Sequence, residues 1–334
     1  MHMADGLLSP SVATTMYVAS GIATIYSIHK LKKEDLKEKI PTMGIMGAFI
    51  FATQMINFTI PGTGSSGHLC GGLLLTSVLG PYAGFLSMIG VLLIQCLFFA
   101  DGGLLALGGN IWNMAFYGCF LGSLIWKTVM KNNITKKKII FSSILGSILS
   151  LQLGAFSVVI ETTLSQITEL PFKTFVLVMQ PIHLIIGLIE GIITSSVLCF
   201  IFQTRPELLW NPNKLDKIEN KISYKKMMII LAICTIIIGG LISIFASANP
   251  DGLEWSIQKI TGETELEAPN YKIYKISTTI QNITSILPDY SLKNTTDSVG
   301  TSFSGLIGII ITIIVLYLVG YIIKLFNKKE KYNE

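Results

Sequence analysis

Long apolar runs constrain this chain more than any other feature. Eight stretches have about 18 or more residues of mostly apolar composition, at roughly 11–28, 41–58, 83–100, 111–130, 139–162, 176–203, 227–247 and 304–325. A ninth, 69–80, is only about twelve residues long and ends at Gly80-Pro81. A helix rises 1.5 Å per residue, so about 20 apolar residues span a bilayer core. Only 13% of the 334 residues are charged and 51% are hydrophobic, too apolar for a soluble globular domain. The chain therefore reads as an all-α integral membrane protein. The five cysteines, Cys70, Cys96, Cys119, Cys199 and Cys234, lie mostly inside apolar runs without a CxxC pair. They read as packing residues, not as a disulfide frame or zinc cluster.

The basic residues set an expected orientation. If the short run 69–80 crosses, then segments 29–40, 127–138, 204–226 and 324–334 share one side and carry 20 of the 25 Lys and Arg residues. Lys173, Lys259, Lys272, Lys275 and Lys293 fall on the other. Positive charge concentrates on the cytoplasmic side, so the N-terminus is expected outside and the C-terminus inside. The same parity puts the start of the chain and the outer end of 69–80 on one face.

That face carries the candidate chemistry. The chain opens Met1-His2, and a bulky second residue protects the initiator methionine from trimming. The free amine, the His2 amide and the His2 imidazole then offer three nitrogens that chelate one ion in two fused rings, with His2 expected to bind through Nδ1. His68, in the turn-rich loop Pro61-Gly62-Thr63-Gly64-Ser65-Ser66-Gly67-His68, can supply a fourth nitrogen. A planar set of four nitrogens suits Ni(II) or Cu(II) better than Zn(II). Gly62, Gly64 and Gly67 are expected to let backbone approach the ligand. Asp5 or Asn57 can orient an imidazole from behind, an ordinary cap or loop role being the plainer reading. Cys70 ranks below His68 as a donor because Gly71-Gly72 beside it point to tight helix packing.

Two more ionisable residues, His183 and Glu190, stand seven apart on one helix face inside an apolar run. Such groups are functional candidates, or else an internal hydrogen bond that fixes packing. Glu161 is expected near a solvated helix end, and His29 at the inner interface. Asn110 and Asn113 are expected to close the outer loop. Ser9-Pro10 reads as a helix start. The sequence lacks a GxxxxGK[ST] phosphate loop, and neither a catalytic constellation nor a nucleic-acid-binding feature stands out. ATP-driven movement of an ion thus requires another chain for hydrolysis.

Several of these stretches together resemble one family. Met1-His2-Met3-Ala4-Asp5-Gly6-Leu7-Leu8-Ser9, the Pro61–Gly72 loop, Leu107-Gly108-Gly109-Asn110-Ile111-Trp112-Asn113-Met114 and the His183 to Gly191 helix are similar to the CbiM/NikM substrate-binding components of energy-coupling factor transporters for cobalt and nickel. The likeness covers residues 1–203. Ala248-Asn249-Pro250-Asp251-Gly252-Leu253-Glu254-Trp255 resembles the signature of the PDGLE, or NikN-like, small subunit. The resemblance implies three regions: a metal-binding membrane domain at 1–203, a cytoplasmic linker at 204–226, and a two-helix domain at 227–334 with an outer loop at 248–303. It implies a seven-helix core plus two further helices. It also implies that Met1, His2 and His68 hold the transported ion, Ni(II) first and Co(II) as the alternative, with no organic cofactor. The implied partners are a transmembrane coupling protein and cytoplasmic ABC-type ATPases, in a cell membrane. Asp251 and Glu254 read as transient ligands or, preferably, as part of an ordinary turn. Two other functions fit the residues alone: a proton-coupled metal transporter using His183 and Glu190, and a membrane metal sensor.

Overall fold

The computed structural model describes residues 1–210, 220–292 and 298–333. Parts of the linker and of the outer loop, including Lys214, Lys217 and Lys293, lie outside the described residues. The first helix, α1 (Pro10–Leu31), starts where Ser9-Pro10 places it. Proline occupies a first-turn position whose N–H has no helical partner anyway. The Ser9 hydroxyl, however, meets Ser11 Oγ at 3.1 Å and does not cap. Next come α2 (Lys39–Gln54) and a short antiparallel hairpin, β1 (Phe58–Ile60) with β2 (Ser65–Gly67), Phe58 facing Gly67. The all-α expectation needs this correction. Gly62 and Gly64 both take φ +77° in the connecting turn and face open space. They serve the turn, not the close approach to a ligand expected of them.

From the hairpin the chain runs into α3 (Gly72–Leu79), α4 (Pro81–Phe99) and then α5 (Leu107–Asn110). A π-helical stretch, Ile111–Leu121, and α6 (Gly122–Val129) continue α5 without a break. The long helices α7 (Lys136–Ser165) and α8 (Phe172–Thr204) lie side by side. Gln152 Nε2 donates to the Gln180 carbonyl at 2.8 Å, and Gln180 Nε2 returns a bond to the Gln152 carbonyl at 3.2 Å. After the linker come α9 (Tyr224–Gly240), α10 (Gly252–Thr261), α11 (Lys272–Thr284) and α12 (Ser298–Asn333).

Among the described residues six helices, α1, α4, α7, α8, the segment Tyr224–Phe245 and α12, are long and apolar enough to cross a membrane. Their outward sides carry large apolar groups such as Ile22, Ile25, Leu177, Ile233 and Ile310, as a hydrocarbon solvent requires. By contrast α3 has eight residues, about 12 Å of helix, and every one is buried. It sits at the centre because glycine lets it. A Cβ built on Gly72 would lie 2.6 Å from the Gly118 Cα, closer than carbon atoms approach. This is the tight packing expected of the Gly71-Gly72 pair. At the far end of α3, the Trp210 N–H donates to the Ser77 carbonyl at 2.8 Å.

Candidate metal-binding site

The first nine residues do not trail away. Met3 is held by Asn110: its N–H donates to Asn110 Oδ1 at 2.7 Å, and Asn110 Nδ2 donates to its carbonyl at 3.1 Å. The Gly103 N–H donates to the same carbonyl at 2.9 Å. Asp5 accepts from the Ala106 N–H at 3.0 Å and the Ser277 hydroxyl at 2.5 Å, so it anchors the segment and orients no imidazole. Tyr274 in α11 donates to the Leu8 carbonyl at 2.8 Å. The amino end is thereby threaded between the loop before α5 and the cover formed by α11.

The loop 65–71 is fixed with equal firmness. Glu190 on α8 accepts from the N–H groups of Cys70, at 2.8 Å, and Gly71, at 3.0 Å. Charge-assisted bonds of this kind are roughly twice as strong as neutral ones. His68 Nδ1 donates to the Leu69 carbonyl at 3.1 Å. That fixes the tautomer and leaves the Nε2 lone pair 3.0 Å from the Met1 amine. The His2 and His68 rings stack at a centroid distance of 5.3 Å and an angle of 19°. The three residues named from the sequence, Met1, His2 and His68, are therefore brought together.

The remaining wall comes from the segment before α10. Asp251 caps that helix: its Oδ1 accepts from Leu253 N–H at 2.7 Å and Glu254 N–H at 3.0 Å, while Glu254 accepts from the Asp251 N–H at 2.8 Å. This is a reciprocal capping box, so Pro-Asp-Gly is the start of α10, with Asp251 extended at the N-cap, and not the ordinary turn expected. The same carboxylate does more. Its Oδ2 forms an ion pair with the Met1 amine and lies 3.7 Å from His68 Nε2. The Ser66 N–H donates to the Pro250 carbonyl at 2.8 Å and Trp255 Nε1 to the Thr63 carbonyl at 3.0 Å, which docks α10 against the hairpin. Burial alone would raise the Asp251 carboxyl, but the amine charge and His68 outweigh it and hold it well below the usual carboxylate range.

His2 has partners that the sequence did not suggest. Its Nδ1 is 3.1 Å from Asp101 Oδ1 and its Nε2 is 3.2 Å from the Gln95 side-chain oxygen. Burial pushes the imidazole down to about 4, so the ring is neutral near pH 7 and carries one proton. One N–H cannot serve two acceptors. Turning the Gln95 amide over resolves this, since its nitrogen is otherwise without a partner and then donates to Nε2. Nδ1 thus faces Asp101, whereas chelation was expected through that atom toward the His2 amide. The ring must turn from Asp101 to complete the expected plane.

The other sequence candidates fall outside this donor cluster. Asn57 borders the outer cleft, and its carbonyl accepts from the Ser247 N–H at 2.7 Å. Cys70 donates its thiol to the Met114 carbonyl at 3.3 Å. Glu161 is 4% exposed and not at a solvated end; Asn113 donates to it at 3.0 Å. His183 Nδ1 donates to the Met179 carbonyl at 2.8 Å, so His183 and Glu190 are held by different partners. Among the described residues no group of three His, Cys, Asp or Glu side chains is arranged to hold a metal. What converges is the Met1 amine, His68 Nε2 and the Asp251 carboxylate, with the His2 ring stacked alongside and its nitrogens turned to Asp101 and Gln95.

Two spaces adjoin the cluster. An outer cleft of about 390 Å³ is lined by His2, His68, Asp101, Asp251, Glu254 and Glu265, among others, and among the described residues by no Lys or Arg. A small inner cavity of about 10 Å³ is lined by Met1, His68, Cys70, His183, Asp251 and Gly252, with Gly67, Met114, Leu151 and Ile186.

Residues 2–208 match the family described as CbiM, cobalt uptake substrate-specific transmembrane region, and residues 225–325 match the PDGLE domain. The chain is 33% identical over 313 residues to a putative fused nickel transport protein NikMN of Archaeoglobus fulgidus, covering 94% of this chain and 96% of that one. It is 32% identical over 213 residues to a putative cobalt transport protein CbiM of Methanocaldococcus jannaschii, covering 63% of this chain and 90% of that one. A crystal structure of a truncated transition metal transporter superposes with a TM-score of 0.54 at 31% identity, covering 61% of this chain and 99% of that one.

Proposed function

Starting from the fact that this chain belongs to the CbiM family and carries a PDGLE domain, we propose that it is the substrate-binding membrane component of an ATP-driven importer of Ni(II), with Co(II) as the alternative. The observation that carries this reading is the convergence of the Met1 amine, His68 Nε2 and the His2 ring at the border of an acidic cleft. The ion enters from the carboxylate-lined cleft. It displaces the amine proton and the His2 amide proton, which leave to the water of the cleft. His2 turns from Asp101, and the amine, amide and imidazole nitrogens with His68 Nε2 close a plane. Nickel is preferred because that geometry suits it and because the relative matched over most of both chains is named as a nickel protein.

In this reading the N-terminus lies outside and the C-terminus inside. Nine crossings make seven plus two: the six long helices together with α2, α3 and the continuous helix 107–129. Support for α3 as a crossing comes from the sunken loop 65–71, which shortens the path that a helix must complete. Since the sequence carries no ATPase loop, a coupling protein and cytoplasmic ABC-type ATPases supply the work. A proton relay through His183 and Glu190 is less well supported, because Glu190 is committed to Cys70 and Gly71.

The test is elemental analysis of the purified protein with its Met1 amine free, beside His2→Ala and a variant with one residue added before Met1. One tightly bound nickel in the native form, lost in both variants, is expected. Equal metal in all three rejects the site.

A further inference from the structure

Two residues border both spaces. His68 and Asp251 line the outer cleft and the inner cavity alike, whereas His2 lines only the outer one and His183 only the inner one. The pair is a partition with one imidazole on either side of it.

His183 is an unusual wall for a buried cavity. It is 1% exposed. Its Nδ1–H is spent on the Met179 carbonyl, one turn back on α8. That bond accounts for one nitrogen and leaves a bare lone pair on the other. Nε2 has no hydrogen-bond partner among the described residues. Leaving such an acceptor buried without a partner is destabilising, a cost that an apolar side chain of similar size would avoid. The space in front of it is kept open by Gly252, where a methyl group would lie 3.2 Å from Nε2 and 3.0 Å from Cε1. Glu190, two turns along the same helix, pulls the Cys70 and Gly71 backbone onto α8. It thereby brings the loop that carries His68 toward His183.

We propose that His183 Nε2 is a second, inner ligand for the ion, taking over from His2. On this view the ion stays bound to His68 and exchanges its outer imidazole for the inner one as it passes the partition. Neutral imidazole nitrogens are suitable donors for both Ni(II) and Co(II). The proposal rests on the transport reading above and adds the direction of travel.

The test uses the purified full-length chain with Co(II), followed by visible absorption and by elemental analysis after desalting. The native chain is expected to hold one Co(II) through His2, and failure there sinks the transport reading together with this one. His2→Ala is expected to bind Co(II) at least a hundredfold more weakly, with a changed visible spectrum. Adding His183→Gln to His2→Ala should weaken that residual binding a further tenfold or more and abolish its spectrum. Adding Gly252→Ala, which leaves the imidazole in place and crowds Nε2, should do the same, so the outcome does not hang on the folding of one variant. The inner ligand is refuted if His2→Ala holds no Co(II) at millimolar concentration. It is equally refuted if the residual affinity and spectrum ignore both second substitutions.

Discussion

Replacing Asp251 by Asn separates the two duties of one carboxylate. Asn keeps an oxygen where Oδ1 accepts from Leu253 and Glu254, and Asn is as good a cap as Asp. The other oxygen becomes an NH₂ group pointed at the Met1 amine, a donor facing a donor. Breaking a buried ion pair by removing one partner typically costs about 3–5 kcal/mol. Here the amine retains His68 Nε2 at 3.0 Å, so the lower end, about 3 kcal/mol, is expected. At about 1.4 kcal/mol per decade that is roughly a hundredfold in the population of states with α10 undocked. The readout is amide hydrogen exchange at Ser66, whose N–H is bonded to the Pro250 carbonyl. It should speed up about a hundredfold in Asp251→Asn, and by a further factor of about five in Asp251→Ala, which also loses about 1 kcal/mol of cap. If exchange at Ser66 in Asp251→Asn stays within threefold of native, the ion pair does not hold α10 in place.

Three other outcomes follow from the geometry. Burial, then the charge of Asp251, pushes Glu254 up to about 7; a carboxyl raised in the fold stabilises it fully below its unfolded value near 4.5 and loses that contribution as pH rises through 7. The unfolding temperature of the native chain should therefore fall between pH 5 and 8 relative to Glu254→Gln, and parallel curves would refute the assignment. Glu190→Gln keeps one good acceptor for two N–H donors; losing a hydrogen bond to a charged group costs about 1.5–3 kcal/mol, so exchange at Cys70 and Gly71 should rise at least tenfold, and unchanged protection would count against the clamp. Gly72→Ala drives a methyl group into the Gly118 backbone and should lower the yield of folded protein severely, overpacking of this kind costing about 1–3 kcal/mol or more; size-exclusion profiles matching the native protein would contradict the close approach.

What the sequence could reveal depended on the range of the interaction. Pro10 at the start of α1, the Gly71-Gly72 packing and the Asp251-to-Glu254 spacing of a capping box are written within a few residues, and each is legible there. The association of Met1, His2 and His68 followed from chelation chemistry and the parity of crossings, both readable without coordinates. Asp101 and Gln95 were not found, because nothing near either residue marks it as a neighbour of His2. They reach it only once α4 and the loop after it stand beside the amino end. The second oxygen of Asp251 is the sharper case. The local pattern accounts for one oxygen completely, and for the carboxylate the sequence suggested only a transient ligand role, not an ion pair with the Met1 amine. Glu161 was misjudged through its position near a helix end, since Asn113, which receives it, lies on a different helix.

The hydrogen bonds from Ser66 to residues 249 and 250 join two regions carried by one polypeptide. That makes closure a first-order event. A tethered partner samples its dock at an effective concentration of order millimolar, whatever the abundance of the protein in the cell. The individual contacts that dock α10 on the hairpin can then be weak and still be made most of the time. Asp251 is ion-paired with the Met1 amine, so under the proposed function an incoming ion has to displace that carboxylate to bind the amine. Carriage on one polypeptide therefore keeps Asp251 beside the amine at any protein concentration, which two freely diffusing chains would reach only by being abundant.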